Sequence, residues 1–491
     1  MNPFKKLAGQ TAIYGIPTIV GRLLNYLLVP LYTYNFTTDA FGVFTEMYAY
    51  VSFLLIVLTY GMETALFNFS RLEENKEKVY STILISVIVS SVLFFLLAWI
   101  FSDNIASFIR NPDHPEYIKW FALILATDAI AAIAFAKLRE QQKAKRFALI
   151  RSLNIMCNIG FNVLFIVLCP RVYNNPASPF YDFVSSFYDP STGVGYAFVA
   201  NLIASAFALL MLLPEIIRIR FQFDKALWKK MMRYALPLLV AGLAGMTNET
   251  FDRAILKHLL PENIANSELG IYGACYKVSI IMTIFIQTFR YAAEPFFFSQ
   301  AGKGNEKQLY ADVMKYFVII CSIIFLGTMA NISWIQHFVG EDFRAGIKTV
   351  PILLLANLLL GIFLNLSIWY KLTNQTKFGA WFMMLGAAIT LIGNFAFIPQ
   401  YSYMASAWTT LICYAAMMLM SYLWGNKHYP VNYDLKRFVG YIGLSLILYC
   451  LIGFIALESK TTELFLKNLI VLVFVGIAFV FERKNLVINK R

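Results

Sequence analysis

Charge is scarce in this sequence. Asp, Glu, Lys and Arg make up 14% of its 491 residues and hydrophobic residues 59%, against about 25% and about 45–50% in water-soluble domains. So little charge does not cover the surface of a soluble fold of this length, and so much apolar side chain excludes intrinsic disorder. Cysteine and histidine are scarce too. Cys157, Cys169, Cys275, Cys321, Cys413 and Cys450 stand in apolar runs without a CxxC, and His114, His258, His337 and His428 are scattered. Neither set has metal-ligand spacing, and membrane packing accounts for the cysteines. With 26 Gly, 16 Pro and 6 Cys the chain is neither collagen-like nor a disulfide scaffold. What remains is an all-α polytopic membrane protein.

About 20 apolar residues cross a bilayer. The hydropathy pattern predicts fourteen spans: Gly9–Tyr34, Phe41–Phe69, Val79–Phe101, Tyr117–Ala136, Ala148–Pro170, Gly193–Pro214, Met232–Lys257, Leu269–Ser299, Val313–Trp334, Thr349–Tyr370, Gly379–Pro399, Tyr403–Trp424, Phe438–Leu457 and Leu464–Phe481. The basic start, Met1 to Lys6, is followed by no small-residue cleavage site, so the first run is expected to stay in the protein. Of 41 Lys and Arg, 29 fall in even-numbered connections and the termini, eight in odd-numbered connections and four in spans. By the positive-inside rule both termini are expected in the cytoplasm. This sidedness also accounts for the net charge of +13 without nucleic acid, the cytoplasmic basic residues facing anionic membrane lipid.

An internal repeat divides the chain. Tyr14-Gly15-Ile16-Pro17 pairs with Tyr234-Ala235-Leu236-Pro237, Phe41-Gly42-Val43-Phe44 with Leu269-Gly270-Ile271-Tyr272, Tyr48 with Tyr276 and Glu63 with Glu294. Six spans separate the two openings, so the halves share an orientation, about an axis along the membrane normal. The expected organisation is a six-helix bundle over residues 1–214, a cytoplasmic amphipathic linker over 215–231, a second six-helix bundle over 232–424, and two further helices with a cytoplasmic tail over 425–491.

These motifs resemble those of the polysaccharide-export and Wzx-type flippases of the MOP (multidrug/oligosaccharidyl-lipid/polysaccharide) superfamily. The carrying residues are Tyr14-Gly15-Ile16-Pro17 with Arg22, Phe41-Gly42-Val43-Phe44, Asp252-Arg253-Ala254-Ile255-Leu256, Glu268 to Lys277, and Tyr291 to Phe296. The resemblance implies a MATE-like fold, two bundles around a cavity that opens alternately to each side. It implies a cargo of undecaprenyl-diphosphate-linked oligosaccharide, moved from the inner to the outer leaflet of the bacterial cytoplasmic membrane for O-antigen or capsule synthesis. A polysaccharide polymerase is a further partner on this reading, and no cofactor is expected beyond proton or Na⁺ coupling.

Charges within spans are expensive and mark the candidate site. Arg22, Arg253 and Lys277 are the candidates for the cargo diphosphate, because guanidinium and ammonium groups lower the barrier to a buried anion. Asp128, alone at mid-span, is a candidate for ion coupling, as are Glu63, Arg290 and Glu294 for coupling or gating. The competing structural readings are specific. Glu249 and Arg253, and Arg290 and Glu294, are i,i+4 neighbours that neutralise each other on one helix. Lys277 stands near an interface it can reach by snorkelling. No Gly-rich phosphate loop or nucleophile elbow occurs, and the outer connection Arg171–Thr192 is short for a membrane polymerase. A multidrug/cation antiporter of the same superfamily is the alternative transporter; its cavity would be net acidic.

Overall fold

A computed structural model of the chain describes residues 23–488 apart from 25, 74, 303 and 305, and side chains as far as 483 apart from 292, 295 and 299. The described residues are helical with short connections. In chain order the main helices are α1 (Leu28–Asn35), α2 (Thr38–Thr59), α3 (Met62–Leu72), α4 (Lys76–Ile100), α5 (Pro115–Glu140), α6 (Ala144–Val163) and α7 (Gly195–Ile217). They continue with α8 (Lys225–Leu259), α9 (Glu262–Val278), α10 (Ile280–Gln300), α11 (Glu306–Ala330) and α12 (Val350–Leu366), and end with α13 (Lys377–Tyr401), α14 (Tyr403–His428), α15 (Leu435–Phe454) and α16 (Lys460–Ile488).

Local chemistry sets many of the boundaries. The Thr37 hydroxyl accepts the Ala40 N–H to start α2, the Asn75 side chain caps α4, and the Asp434 carboxylate caps α15, each satisfying an amide that has no partner inside its helix. Pro115 opens α5, where its missing N–H costs nothing. Tyr60 and Gly61 take positive φ of 30° and 74° and turn the expected second span into α2 and α3. Residues Leu164–Leu168 form a π segment that carries α6 on toward Tyr173.

Eleven helical segments among the described residues are long and apolar enough to cross a membrane, and α9 with α10 makes a twelfth. The expected seventh span is the continuous helix α8 of 35 residues; Glu249, Asp252, Arg253 and Lys257 lower its hydropathy. The expected first span lies largely outside the described residues, with α1 at its end. Each span has a basic end, where the Lys- and Arg-rich connections lie, and a far end.

The chain forms two compact units, Met1–Gly273 and Ala274–Arg491. In the first, α5 packs on α4, α7, α2 and α3, α6 packs on α7, and α8 packs on α2. Leu227, Met231 and Ala235 of α8 join Met62, Leu66, Tyr80 and Ile83 in one buried apolar cluster. In the second, α14 packs on α12 and α13, and α11 packs on α15, α16 and α12. Buried Glu482 of α16 holds Lys315 of α11 at 2.8 Å and Arg437 of α15 at 2.7 Å, and accepts the Tyr441 hydroxyl at 2.9 Å. One carboxylate thereby ties the last two helices to α11.

Candidate functional site

The repeated Gly strings touch each other. α2 and α9 run in parallel from their far ends and cross at Gly42 and Gly270 inside the first unit. A Cβ on Gly42 would stand 2.0 Å from the Asn266 carbonyl oxygen, and one on Gly270 would stand 2.0 Å from that of Thr38. Only glycine admits backbones this close. Ser267 donates to the Thr38 hydroxyl at 2.7 Å, and a Cβ on Gly273 would meet the Thr45 side chain at 2.5 Å. A parallel contact between equivalent helices is what an axis along the membrane normal requires.

Beside this crossing lies a buried charge network. The Glu46 carboxylate on α2 is fully buried and meets the Lys257 ammonium of α8, itself 2% exposed, at 2.9 Å. The Tyr50 hydroxyl donates to Glu46 at 2.9 Å and lies 2.8 Å from Nε2 of His258. With Tyr50 donating to the carboxylate, His258 is left to donate to the tyrosine oxygen. Asp252 accepts the Tyr272 hydroxyl at 2.6 Å. Such a network is stable because each charge has a partner; either partner alone in so apolar a place is strongly disfavoured.

At the basic end the repeat reappears as two ion pairs. In the first unit Glu63 of α3 meets Arg139 of α5 at 2.6 Å, and in the second Glu294 of α10 meets Lys371, in the short helix Ile368–Leu372, at 2.7 Å. The carboxylates are 231 residues apart in sequence and the cations 232. Buried Asn162 and Asn394 repeat at the same offset of 232, each donating at 2.8 Å to the carbonyl four residues earlier. The second-unit pair borders a small recess lined by Phe289, Phe317, Asn365 and Arg290.

Residues 7–300 match the family described as polysaccharide biosynthesis protein. The chain belongs to the polysaccharide biosynthesis protein family. The fold is that of the MOP transporters. A solved structure of the lipid II flippase MurJ in an inward closed conformation superposes with a TM-score of 0.76 at 15% identity, covering 96% of this chain and 99% of that one. An inward-facing multidrug resistance MATE family transporter of the MOP superfamily gives 0.64 at 14% identity, covering 88% and 99%. The MATE multidrug transporter DinF-BH gives 0.60 at 15%, covering 88% and 97%. No curated protein sequence matches the chain.

Within this family member the residues singled out in the sequence are dispersed. Arg22 lies outside the described residues. Arg253 is buried on α8; its guanidinium donates to the Glu249 carbonyl oxygen and lies 3.6 Å from the Asp252 carboxylate. Its i,i+4 partner Glu249 meets it through the backbone carbonyl, its own side chain being exposed. Lys277 is half-buried on α9, on the second-unit side of the division. Arg290 meets Glu294 at 3.6 Å, the within-helix pair the spacing implies, but Lys371 is the nearer partner. Asp128 sits half-buried on α5 opposite Ser205 of α7.

Sequence reasoning missed Lys257 and Arg151. Lys257 counts as an outer-connection residue by hydropathy, and its partner Glu46 is 211 residues away. Arg151 counts as part of a basic connection, yet α6 begins at Ala144 and carries it over the Phe135 ring, 4.4 Å from the centroid.

Proposed function

We propose that the protein is a flippase for undecaprenyl-diphosphate-linked oligosaccharide in the bacterial cytoplasmic membrane, working by alternating access with both termini in the cytoplasm. The observation that carries this reading is the match of residues 7–300 to the polysaccharide biosynthesis protein family. Family membership and a fold shared with the lipid II flippase MurJ support a lipid-linked glycan over a small soluble solute.

On this reading Arg22, Arg253 and Lys277 meet the cargo diphosphate during its passage, and Glu63 and Glu294 work as twin inner gates with Arg139 and Lys371. The cargo supplies the anion that compensates a cation displaced from its resting partner. Deleting the gene is expected to abolish one surface glycan and to trap its lipid-linked precursor on the cytoplasmic leaflet. A glycan that persists while efflux of cationic dyes falls would establish the multidrug antiporter instead. Arg22→Ala is expected to insert normally and stop export, with Arg22→Lys restoring part of it, since lysine keeps the charge and loses the planar fork. Orientation is tested by single cysteines at Ser185 and Lys145 in a cysteine-free background: an impermeant thiol reagent applied to intact cells is expected to label the first only.

A further inference from the structure

One buried ion pair of the first unit is wired to the surface. Glu46 divides its two oxygens. Oε2 takes the Lys257 ammonium at 2.9 Å, and Oε1 accepts the Tyr50 hydroxyl at 2.9 Å. The Tyr50 oxygen in turn lies 2.8 Å from Nε2 of His258. Exposure rises along this row: the Glu46 side chain is fully buried, Tyr50 is half-buried, and the His258 side chain is 28% exposed. Two helices build it. Glu46 and Tyr50 are i,i+4 neighbours on one face of α2. Lys257 and His258 are consecutive on α8 and point about 100° apart, one into the bundle and the other toward its rim. Charge balance needs Glu46 and Lys257 alone. It does not need an unbroken row of hydrogen bonds from their carboxylate to a half-buried imidazole.

The groups around the imidazole come from four directions. Its own helix brings Lys257 and, further back, Asp252 and Arg253, which lie 3.6 Å apart, with Asp252 also holding the Tyr272 hydroxyl. α2 brings Glu46, whose Oε1 is 3.7 Å from Nε2, and Tyr50, whose hydroxyl also lies 3.3 Å from the Ala254 carbonyl oxygen. The short helix Ser102–Phe108 sets the Phe108 ring centroid 6.1 Å from that of the imidazole, and its Asp103 is exposed. Arg110, just beyond it, donates to the Lys257 and Leu260 carbonyl oxygens at 3.2 and 3.3 Å and meets Glu262 of α9 at 3.6 Å. α3 and α4 also pack on α8, but their charges, Glu63, Arg71, Lys76, Glu77 and Lys78, lie at the opposite, basic end. Among the described residues Glu46 is the one carboxylate within 4 Å of His258.

We infer that His258, Tyr50 and Glu46 form a proton port at the far end of the first unit, resting on the transporter reading above and supplying its coupling. A proton from water forms an N–H bond at Nδ1 of His258. The Nε2 proton passes to the Tyr50 oxygen as the Tyr50 proton passes to Oε1 of Glu46. The row ends with a neutral imidazole, an intact phenol and a neutral carboxyl, each hydrogen bond reversed in direction and one proton taken up. The reverse sequence returns it to water. Neutral Glu46 leaves Lys257 a buried cation without its partner, which is strongly disfavoured, so α2 and α8 part there until the ammonium meets water or an anion. Sodium fits the site less well: a hard cation wants several oxygen ligands, and the Lys257 ammonium already occupies this carboxylate.

The test needs no cargo. The purified full chain in lipid nanodiscs is followed by time-resolved infrared spectroscopy after a downward pH jump. The carbonyl stretch of a protonated buried carboxyl is expected to appear, and to be absent from Glu46→Gln. Tyr50→Phe and His258→Ala each keep Glu46 and Lys257 but cut the row, and each is expected to slow the rise of the band by about a hundredfold, the lower end of what a positioned proton-transfer group contributes. Imidazole added to the buffer is expected to restore the rate in His258→Ala and to leave Tyr50→Phe slow, a rescue that a merely structural histidine would not show. These two variants retain the ion pair, so their comparison stands even where Glu46→Gln fails to fold. A wild-type protein with no such band, a band that survives Glu46→Gln, or a rate unchanged in Tyr50→Phe and His258→Ala would each overturn the proposal. Glycan export in cells is scored separately, so loss of this port leaves the flippase reading standing, and the converse holds.

Discussion

Lys257 and Glu46 show what a single buried charge demands. Both lie within the apolar packing of α2 and α8, and each is stable only in the presence of the other. Glu46→Ala is expected to lower stability by about 3–5 kcal/mol, the cost of an uncompensated buried ion. Joining it to Lys257→Met should recover much of the loss, and thermal melts of detergent-purified variants measure both. Hydropathy shows a lysine near an interface; it does not show a carboxylate two hundred residues earlier whose burial cancels that lysine's charge. Arg151 was illegible for a related reason. A window average assigns it to the basic connection beside it, and only the inward start of α6 at Ala144 places it over Phe135. Glu63 and Glu294 were legible because both the residue and its position repeat. Their cations were not, since Arg139 and Lys371 are indistinguishable in sequence from ordinary cytoplasmic charge.

Among the elements, the crossing of α2 and α9 is the most sensitive to a single atom. Gly42→Ala and Gly270→Ala each drive a methyl group into backbone, so each is expected to part the helices, cost about 1–3 kcal/mol, and abolish export. Gly440→Ala, where nothing stands within 4 Å, serves as the neutral comparison in the same assay. The start of α8 answers to pH. Asp224 accepts the Ala226 and Leu227 amides at 2.9 Å and meets Lys78 at 2.7 Å. Lys78 first, with those amides, holds its carboxyl at about 2, below the ordinary 3.8. A depressed value in the folded state means the stabilisation is complete above about 4 and is lost as pH falls toward 2. Hydrogen exchange at the first turn of α8 should therefore accelerate over that window in the wild type, and Asp224→Asn should flatten the response.

For the whole molecule, the all-helical class and the order of spans were legible as runs of apolar residues, since a bilayer imposes that length on any spanning helix. The two Gly strings were legible as a repeat. That they lie against each other was not, because similarity between two segments carries no information about their separation. Thr38 and Ser267, with hydroxyls 2.7 Å apart, give the handle. With both replaced by cysteine, Thr38→Cys and Ser267→Cys, in a background lacking the six native cysteines, oxidation is expected to lock the crossing and stop glycan export. Reduction should restore it. Export that continues in the oxidised protein would remove the crossing from the transport cycle.

The crossing is made of backbone and carries no charge of its own, whereas the pairs at the basic end are half-exposed ions. Dissolved salt therefore distinguishes the two. At physiological ionic strength the screening length is about 8 Å and it shrinks to about 3 Å at 1 M, so added electrolyte loosens Glu63–Arg139 and Glu294–Lys371 while leaving the glycines indifferent. Cross-linking of the cysteine pair should proceed equally at low and high salt. Salt is thus expected to act on the two inner pairs and to leave the crossing itself unchanged.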